Sequence, residues 1–199
     1  MVEIRDAELT RQTILEITAA EMWQHGYKAT SLSEIITKAN VSKGALYHHF
    51  KNKQALGYAV FEEVFSAQFY AVFEPALAQD DAISALSELF AVLPTMGCDE
   101  DMVGGCPVNT ISQEMSSQDE GFRELANNMY QTKVRMFSEA FERMQKAGNI
   151  KIDVDCYASA LLIVSCFQGM MSLIKVSRDR QQMIDLLDGM KSYLESLRA

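Results

Sequence analysis

Apolar residues recur at every third or fourth position along nearly the whole chain. That is the spacing of a helix face, and strand-like alternation is almost absent. Over 6–25, Ile14, Ile17, Thr18 and Met22 line one side, and Gly26 stands where helices commonly stop. Ser31-Leu32-Ser33-Glu34 has the spacing of a capping box, in which a hydroxyl and a carboxylate satisfy each other's unpaired backbone N–H groups; it opens a short helix to about Ala39. Asn40-Val41 makes a turn, Ser42 caps a second short helix over 43–49, and Asn52 caps a long helix to about Phe73 that Pro75 closes. Asp81 caps a helix to about Leu93, and 94–105 is irregular. Pro107 starts a helix to about Met115, and Asp119 caps a long one to Ala147 with Gly148 behind it. Asp153 or Asp155 caps an apolar helix ending near Ser177, and an amphipathic helix over 179–197 closes the chain. The pattern predicts an all-α protein of about nine helices. Three N-terminal helices over 1–53 form a helix-turn-helix module, and a larger helical body covers 54–199, with the helix from about residue 53 linking the two.

Composition removes several alternatives. Three Pro and ten Gly among 199 residues are too few for an all-β fold with a turn every ten residues, or for a long disordered linker. The four cysteines, Cys98, Cys106, Cys156 and Cys166, lack paired spacing, and all three histidines fall within 25–49. A zinc cluster or a secreted disulfide framework is therefore not expected, nor is a metal or cofactor. Residues 1–15 have no continuous apolar stretch, so the expected compartment is a reducing cytoplasm. The segment 156–176 approaches membrane-spanning length, yet Gln168, Lys175 and three serines interrupt it, and it lacks an aromatic belt or basic flank. It reads as a helix buried on all sides in a soluble, oligomeric protein, not as a span. Hydrolase, metalloprotease, phosphate-loop and dinucleotide motifs are absent from the sequence, so no enzyme is expected.

The net charge of −9 argues against a nucleic-acid partner only as an average. Residues 28–53 hold five lysines against Glu34 alone, a net of +4, whereas 61–199 hold 11 basic and 21 acidic residues, a net of −10. A basic module on an acidic body suits a phosphate-binding surface confined to one face. Within 43–49, Gly44 and Ala45 are small enough for close approach to base edges, and Tyr47, His48 and His49 carry hydrogen-bonding groups. Ser42 and Lys43 sit at a helix N-terminus, which favours phosphate, and Lys53 sits in the first turn of the next helix. Leu46 and Phe50, four apart, would face inward. Other readings stand beside these: Tyr47 as a core aromatic with a wet hydroxyl, His49 as a structural helix end, Lys51 as plain solvated charge, and His25 as a favourable charge at a helix C-terminus.

The run Thr30 to Leu56, TSLSEIITKANVSKGALYHHFKNKQAL, resembles the DNA-binding signature of the tetracycline-repressor (TetR/AcrR) family, and the preceding His25-Gly26-Tyr27 matches as well. The signature covers about 8–56, a quarter of the chain; the rest matches in helix count and order. Gly105-Cys106-Pro107-Val108-Asn109 resembles a subgroup whose sixth helix opens on a Gly-Cys motif. The resemblance implies a homodimer on a near-palindromic, double-stranded operator, with the 43–49 helix of each copy in a major groove. It implies a four-helix dimer seam from the last two helices, 156–177 and 179–197, and a small molecule that binds in the body and releases DNA. Phosphate contacts carried over residue by residue are Thr30, Ser31, Ser42, Tyr47, His49 and Lys53; the nearest base contacts are Lys43, Gly44, Ala45 and His48. Repression is the family default.

In the body, Ser165, Gly169 and Ser172 form a small-residue strip that lets helices approach, and Met183, Leu186, Leu187, Met190, Tyr193, Leu194 and Leu197 form a stripe on the last helix. Its methionines and aromatics serve either an apolar effector pocket or ordinary packing. Cys106 precedes a helix between two glycines and Pro107, where the helix dipole favours a thiolate; it reads either as a redox or electrophile sensor or as a small capping residue. Cys98 would be its resolving partner, although Asp99-Glu100-Asp101 disfavours a thiolate there. Lys175, alone in its apolar helix, either snorkels to solvent or reaches a polar pocket group such as the Cys106 thiol. Cys156 and Cys166 read as small core hydrophobes. A ligand sensor that does not bind DNA is a remote alternative that gives the 30–53 lysines no role.

Overall fold

In the computed structural model, residues 2–96 and 105–199 are described, and among them the chain forms nine helices. They are α1 (Val2–His25), α2 (Leu32–Lys38), α3 (Lys43–His49), α4 (53–77), α5 (Ala82–Met96), α6 (Pro107–Met115), α7 (Glu120–Lys146), α8 (Cys156–Ser177) and α9 (Arg180–Ser196). The only strand-like pairing among the described residues is an isolated bridge between Ile150 and Arg198. Inside α4, Val60–Phe65 forms a π-helical turn between two α-helical stretches.

Short polar side chains start the helices by accepting backbone N–H groups that have no intrahelical partner. Ser42 accepts from Ala45 N at 3.0 Å, Asn52 from Ala55 N at 2.8 Å and Asp81 from Ser84 N at 3.0 Å. Asp119 accepts from Phe122 N at 3.1 Å, Asp155 from Ala158 N at 2.9 Å and Asp179 from Gln181 N at 2.9 Å. The capping box expected at Ser31 and Glu34 does not form: the Ser31 hydroxyl pairs with Ser33 Oγ at 2.7 Å instead. Two prolines expected to end helices lie inside them, Pro75 in α4 and Pro94 in α5. Each removes only one N–H, and the carbonyls in the last turn, which have no intrahelical donor, are met by side chains. Leu77 O accepts from Arg143, Pro75 O from Gln79, and Pro94 O from Arg180.

The chain divides into two compact units, 1–68 with 107–126 and 69–106 with 127–199. In the first, Ile14, Leu15, Met22, Ile35, Leu46, Phe50, Leu56, Phe61, Ile111 and Phe122 form the buried interior. In the second, Phe73, Ile83, Leu86, Phe90, Phe137, Phe141, Ile163, Ile174, Leu187 and Leu194 share one core.

Among the described residues α8 is the one helix long and apolar enough to cross a membrane. One face packs into the core of the second unit through Cys156, Ala160, Ile163, Val164, Met170 and Ile174. It is not buried on all sides within one chain. Tyr157, Leu161, Leu162, Leu173 and Val176 are exposed, as are Ser165, Gly169 and Ser172. Cys166 also departs from expectation: it is exposed on that outer face, whereas Cys156 is buried. On α9, Met183, Leu187, Met190 and Leu194 are buried, while Leu186 points outward.

Candidate nucleic-acid interface

Helix α3 is anchored from below. Leu46 and Phe50 are buried, and the Arg11 guanidinium lies 5.3 Å from the Phe50 ring centre while gripping Glu63 through two hydrogen bonds of 2.6 and 2.7 Å. Ser42, Lys43, Gly44, Tyr47 and His48 are all exposed: the helical period sets Gly44 and His48 opposite the two inward positions, Tyr47 lies to the side, and Ser42 and Lys43 are exposed at the helix start. Tyr47 is 44% exposed, so it is not a core aromatic. The Lys43 ammonium lies 5.9 Å from its ring centre, which keeps a cation beside a phenolic hydroxyl. Ala45 and His49 are half-buried at the margin of this row. Burial first, then the positive charges of His48 and Arg11, hold the His49 pKa below its ordinary value although Glu8 acts the other way. The neutral ring is thereby favoured, and it still has one N–H to donate.

The other expected phosphate contacts differ in availability. Ser31 is half-buried next to Ser33. Thr30 is 4% exposed, and its hydroxyl donates to Gly26 O at 2.7 Å, so that side chain is already spent inside the unit. Lys38 is committed to the buried Glu21 carboxylate at 2.5 Å. Lys53 donates to Lys28 O at 3.0 Å with its ammonium 4.6 Å from the Tyr27 ring centre. Burial lowers the Lys53 pKa, against the charge of Glu114, which raises it.

Glu114, which the sequence reading passed over, organises the loop behind this surface. Its carboxylate accepts from Tyr27 N and Lys28 N, each at 2.8 Å. One carboxylate thus holds the N–H side of the loop while the Lys53 ammonium holds the Lys28 carbonyl. Gly26 makes room for this: its φ is +82°, and a Cβ there would stand 2.8 Å from Glu114 Oε2. An acid in the last turn of α6 opposes the helix dipole, a cost that two charge-assisted hydrogen bonds offset.

A second knot lies beside it. Asp119 accepts from Tyr58 Oη at 2.5 Å and from Gln54 Nε2 at 2.7 Å, besides capping α7. Burial raises the Asp119 pKa, but hydrogen bonds from Tyr58, Gln54 and the Phe122 and Gly121 N–H groups outweigh it and hold the carboxyl below its ordinary 3.8. The Tyr58 hydroxyl is pushed up to about 12 by burial and by Asp119. A carboxyl whose folded pKa is depressed stabilises the fold above its unfolded value and loses that contribution as pH falls through the folded one. Asp119→Asn should therefore lower the unfolding temperature at pH 7 and flatten its decline below about pH 4; thermal melts across that range check it, and parallel curves would contradict it.

In the second unit, Gly105 has φ +65°, and an added Cβ would lie 3.2 Å from both Met171 O and Lys175 Cδ. The Lys175 side chain therefore runs alongside the residue next to Cys106, which is half-buried and directly precedes α6. Cys98 lies outside the described residues. Burial raises the pKa of Cys156, in keeping with an inert core thiol.

Residues 14–60 match the bacterial regulatory proteins of the tetR family, and 82–190 match the tetracyclin repressor-like C-terminal domain. The chain is 28% identical over 155 residues to the transcriptional regulator AcuR of Cereibacter sphaeroides, covering 75% of this chain and 69% of that one. It is 22% identical to the transcriptional repressor NemR of Escherichia coli, over 93% of this chain and 94% of that one. In fold it resembles the reduced form of Escherichia coli NemR, with a TM-score of 0.80 over 96% and 97% of the two chains at 21% identity. A TetR transcriptional regulator of Chloroflexus aurantiacus gives 0.85 over 98% of both at 23% identity. These relatives are transcriptional regulators, not enzymes.

Proposed function

The chain belongs to the TetR family of bacterial regulatory proteins, and on that premise we propose that it is a homodimeric repressor that binds a near-palindromic operator and is released by a small apolar molecule. The observation that carries this reading is the outward row Ser42, Lys43, Gly44, Tyr47 and His48 on a helix fixed by buried Leu46 and Phe50. That row has the size and chemistry of a major-groove reader. Ser42, Tyr47, His49, Lys53 and Ser31 would contact phosphates, with Thr30 contributing through its backbone. Lys43, Gly44, Ala45 and His48 would lie nearest the bases. DNA binding is assigned to 1–53, and effector binding and dimerisation to 54–199, in a cytoplasmic protein. Because Glu114 of α6 holds the 27–28 backbone, a shift of α6 on effector binding would reposition the reading helix. A coupling of about 1–3 kcal/mol suffices for release.

The exposed apolar face of α8, with outward Leu186 on α9, supports a two-fold seam between copies. Gly169 lies on that face, and among the described residues beyond its own helix backbone nothing comes within 4 Å of an added Cβ. Gly169→Trp should leave the chain folded, give a monomer by sedimentation, and lose DNA binding. A dimer that still binds DNA would move the seam elsewhere.

A second reading, a thiol-based redox or electrophile switch through Cys106, is favoured by one observation: the Lys175 side chain lies against Gly105, adjoining a half-buried thiol at the start of α6. It fits the Gly-Cys subgroup and the likeness to NemR, whose solved structure is described as a reduced form. Release of upstream DNA by N-ethylmaleimide from wild type but not from Cys106→Ser supports the switch. Equal release or equal retention retires it and leaves the reversible apolar effector.

A further inference from the structure

The second unit holds a cation that neither DNA binding nor packing accounts for. Lys133 lies on the inward face of α7, in line with Ala126, Phe137 and Ala140, and it is only 5% exposed. Buried ammonium groups normally sit against a carboxylate. Among the described residues none pairs with Lys133; its ammonium lies 4.8 Å from the Phe69 ring centre and 5.6 Å from that of Tyr130. Burial depresses its pKa, and the one opposing influence is the negative charge of a Cys106 thiolate. Two ring faces stabilise a cation, but they do not replace the hydration it has lost. Phe69, Tyr130 and Cys106 are each half-buried. Around it stands a body of net charge −10, in which an unpaired buried cation is a local exception.

We propose that Lys133 is the charged anchor of the effector site, and that the effector is a small organic acid whose carboxylate pairs with this ammonium while its apolar frame packs on Phe69 and Tyr130. This rests on the regulator reading and narrows its apolar effector to an amphipathic acid. The pairing is an ordinary charge-assisted hydrogen bond: proton and charge stay where they are, and no covalent bond forms. A carboxylate supplies the partner that no described residue provides, whereas the matching amide brings no charge. The site should therefore discriminate between two molecules of nearly the same shape.

The test uses the full chain without DNA, so that it stands apart from operator binding. Acetate, benzoate and 2-naphthoate are each compared with the corresponding amide by calorimetric titration and by shift in unfolding temperature, on wild type, Lys133→Met and Cys106→Ser. The expected result is that wild type binds at least one carboxylate about tenfold or more tighter than its amide. Lys133→Met should lose that preference and Cys106→Ser should keep it. Lys133→Met fills the same volume without the charge, and in the absence of ligand it should unfold no lower than wild type. Wild type that binds no carboxylate, or binds acid and amide alike, overturns the proposal. So does a Lys133→Met variant that keeps the preference, or one that is destabilised without ligand, which would mean that the rings alone satisfy the ammonium. Carboxylate selectivity in a protein that fails to bind DNA would retire the regulator reading and leave this site standing.

Discussion

Glu114→Ala should lower DNA affinity about a hundredfold or more while leaving the second unit folded. The carboxylate accepts the Tyr27 and Lys28 N–H groups, two charge-assisted hydrogen bonds at 2.8 Å. Removing one partner of such a bond costs about 1.5–3 kcal/mol, and each 1.4 kcal/mol is a factor of ten. The segment freed leads directly to Thr30 and Ser31, and Lys53 would then hold a carbonyl on a loop no longer fixed from the other side. Glu114→Gln keeps one acceptor oxygen without the charge, so it should fall between alanine and wild type. Fluorescence anisotropy on an operator fragment measures the affinities, and circular dichroism checks that helices persist. Wild-type affinity in Glu114→Ala would mean that the loop needs no such support.

The second large effect is that of salt. If each dimer neutralises about six to ten phosphates, affinity should fall by about 10³–10⁵ between 50 and 200 mM salt. Lys43 is exposed and carries a full charge beside Tyr47, so Lys43→Ala should reduce the logarithmic salt slope by about one per subunit and also alter preference among sequences. Tyr47→Phe removes a neutral hydroxyl, so it should weaken binding to all sequences and leave the slope unchanged. Lys53→Ala should weaken binding through both a phosphate and the loop, since its ammonium already donates to Lys28 O. An unchanged slope in both lysine variants would show that the phosphates are met elsewhere.

The helices were legible because their signals are local. Ser42, Asn52, Asp81 and Asp119 cap where their residue type and the following apolar period indicate, and Asp155 is the one of the two candidates before the apolar helix that caps it. The inward placement of Leu46 and Phe50, and with it the outward side of Gly44 and His48, follows from spacing, whereas the exposure of Ser42 and Lys43 comes from their place at the helix start. The helices run two residues past Pro75 and Pro94, because a proline removes only one N–H, and the side chains of Gln79 and Arg180 that meet the end carbonyls are not visible in the helical pattern. That the Thr30 hydroxyl turns back to Gly26 O four residues earlier is not legible in the sequence, because a threonine makes that bond only where the local turn brings the carbonyl within reach. Cys166 misled because an apolar helix in isolation does not show which of its faces the chain covers. Glu114 and Lys133 did leave traces: an acid in the last turn of a helix, and a charge in the apolar stripe of Ala126, Phe137 and Ala140. Each runs against a local rule, and such conflicts mark places where tertiary contacts or ligands decide.

The most direct test of the central claim is the affinity of the purified chain for DNA from upstream of its own gene, against an unrelated fragment of equal length, measured at 50 and 200 mM salt. A sequence-reading regulator should bind its upstream DNA about 10³-fold or more tighter than the unrelated fragment at the higher salt, with both affinities falling as salt rises. Equal affinities for the two fragments would contradict sequence recognition by the Ser42–His48 surface, and no affinity for either would remove DNA as the partner.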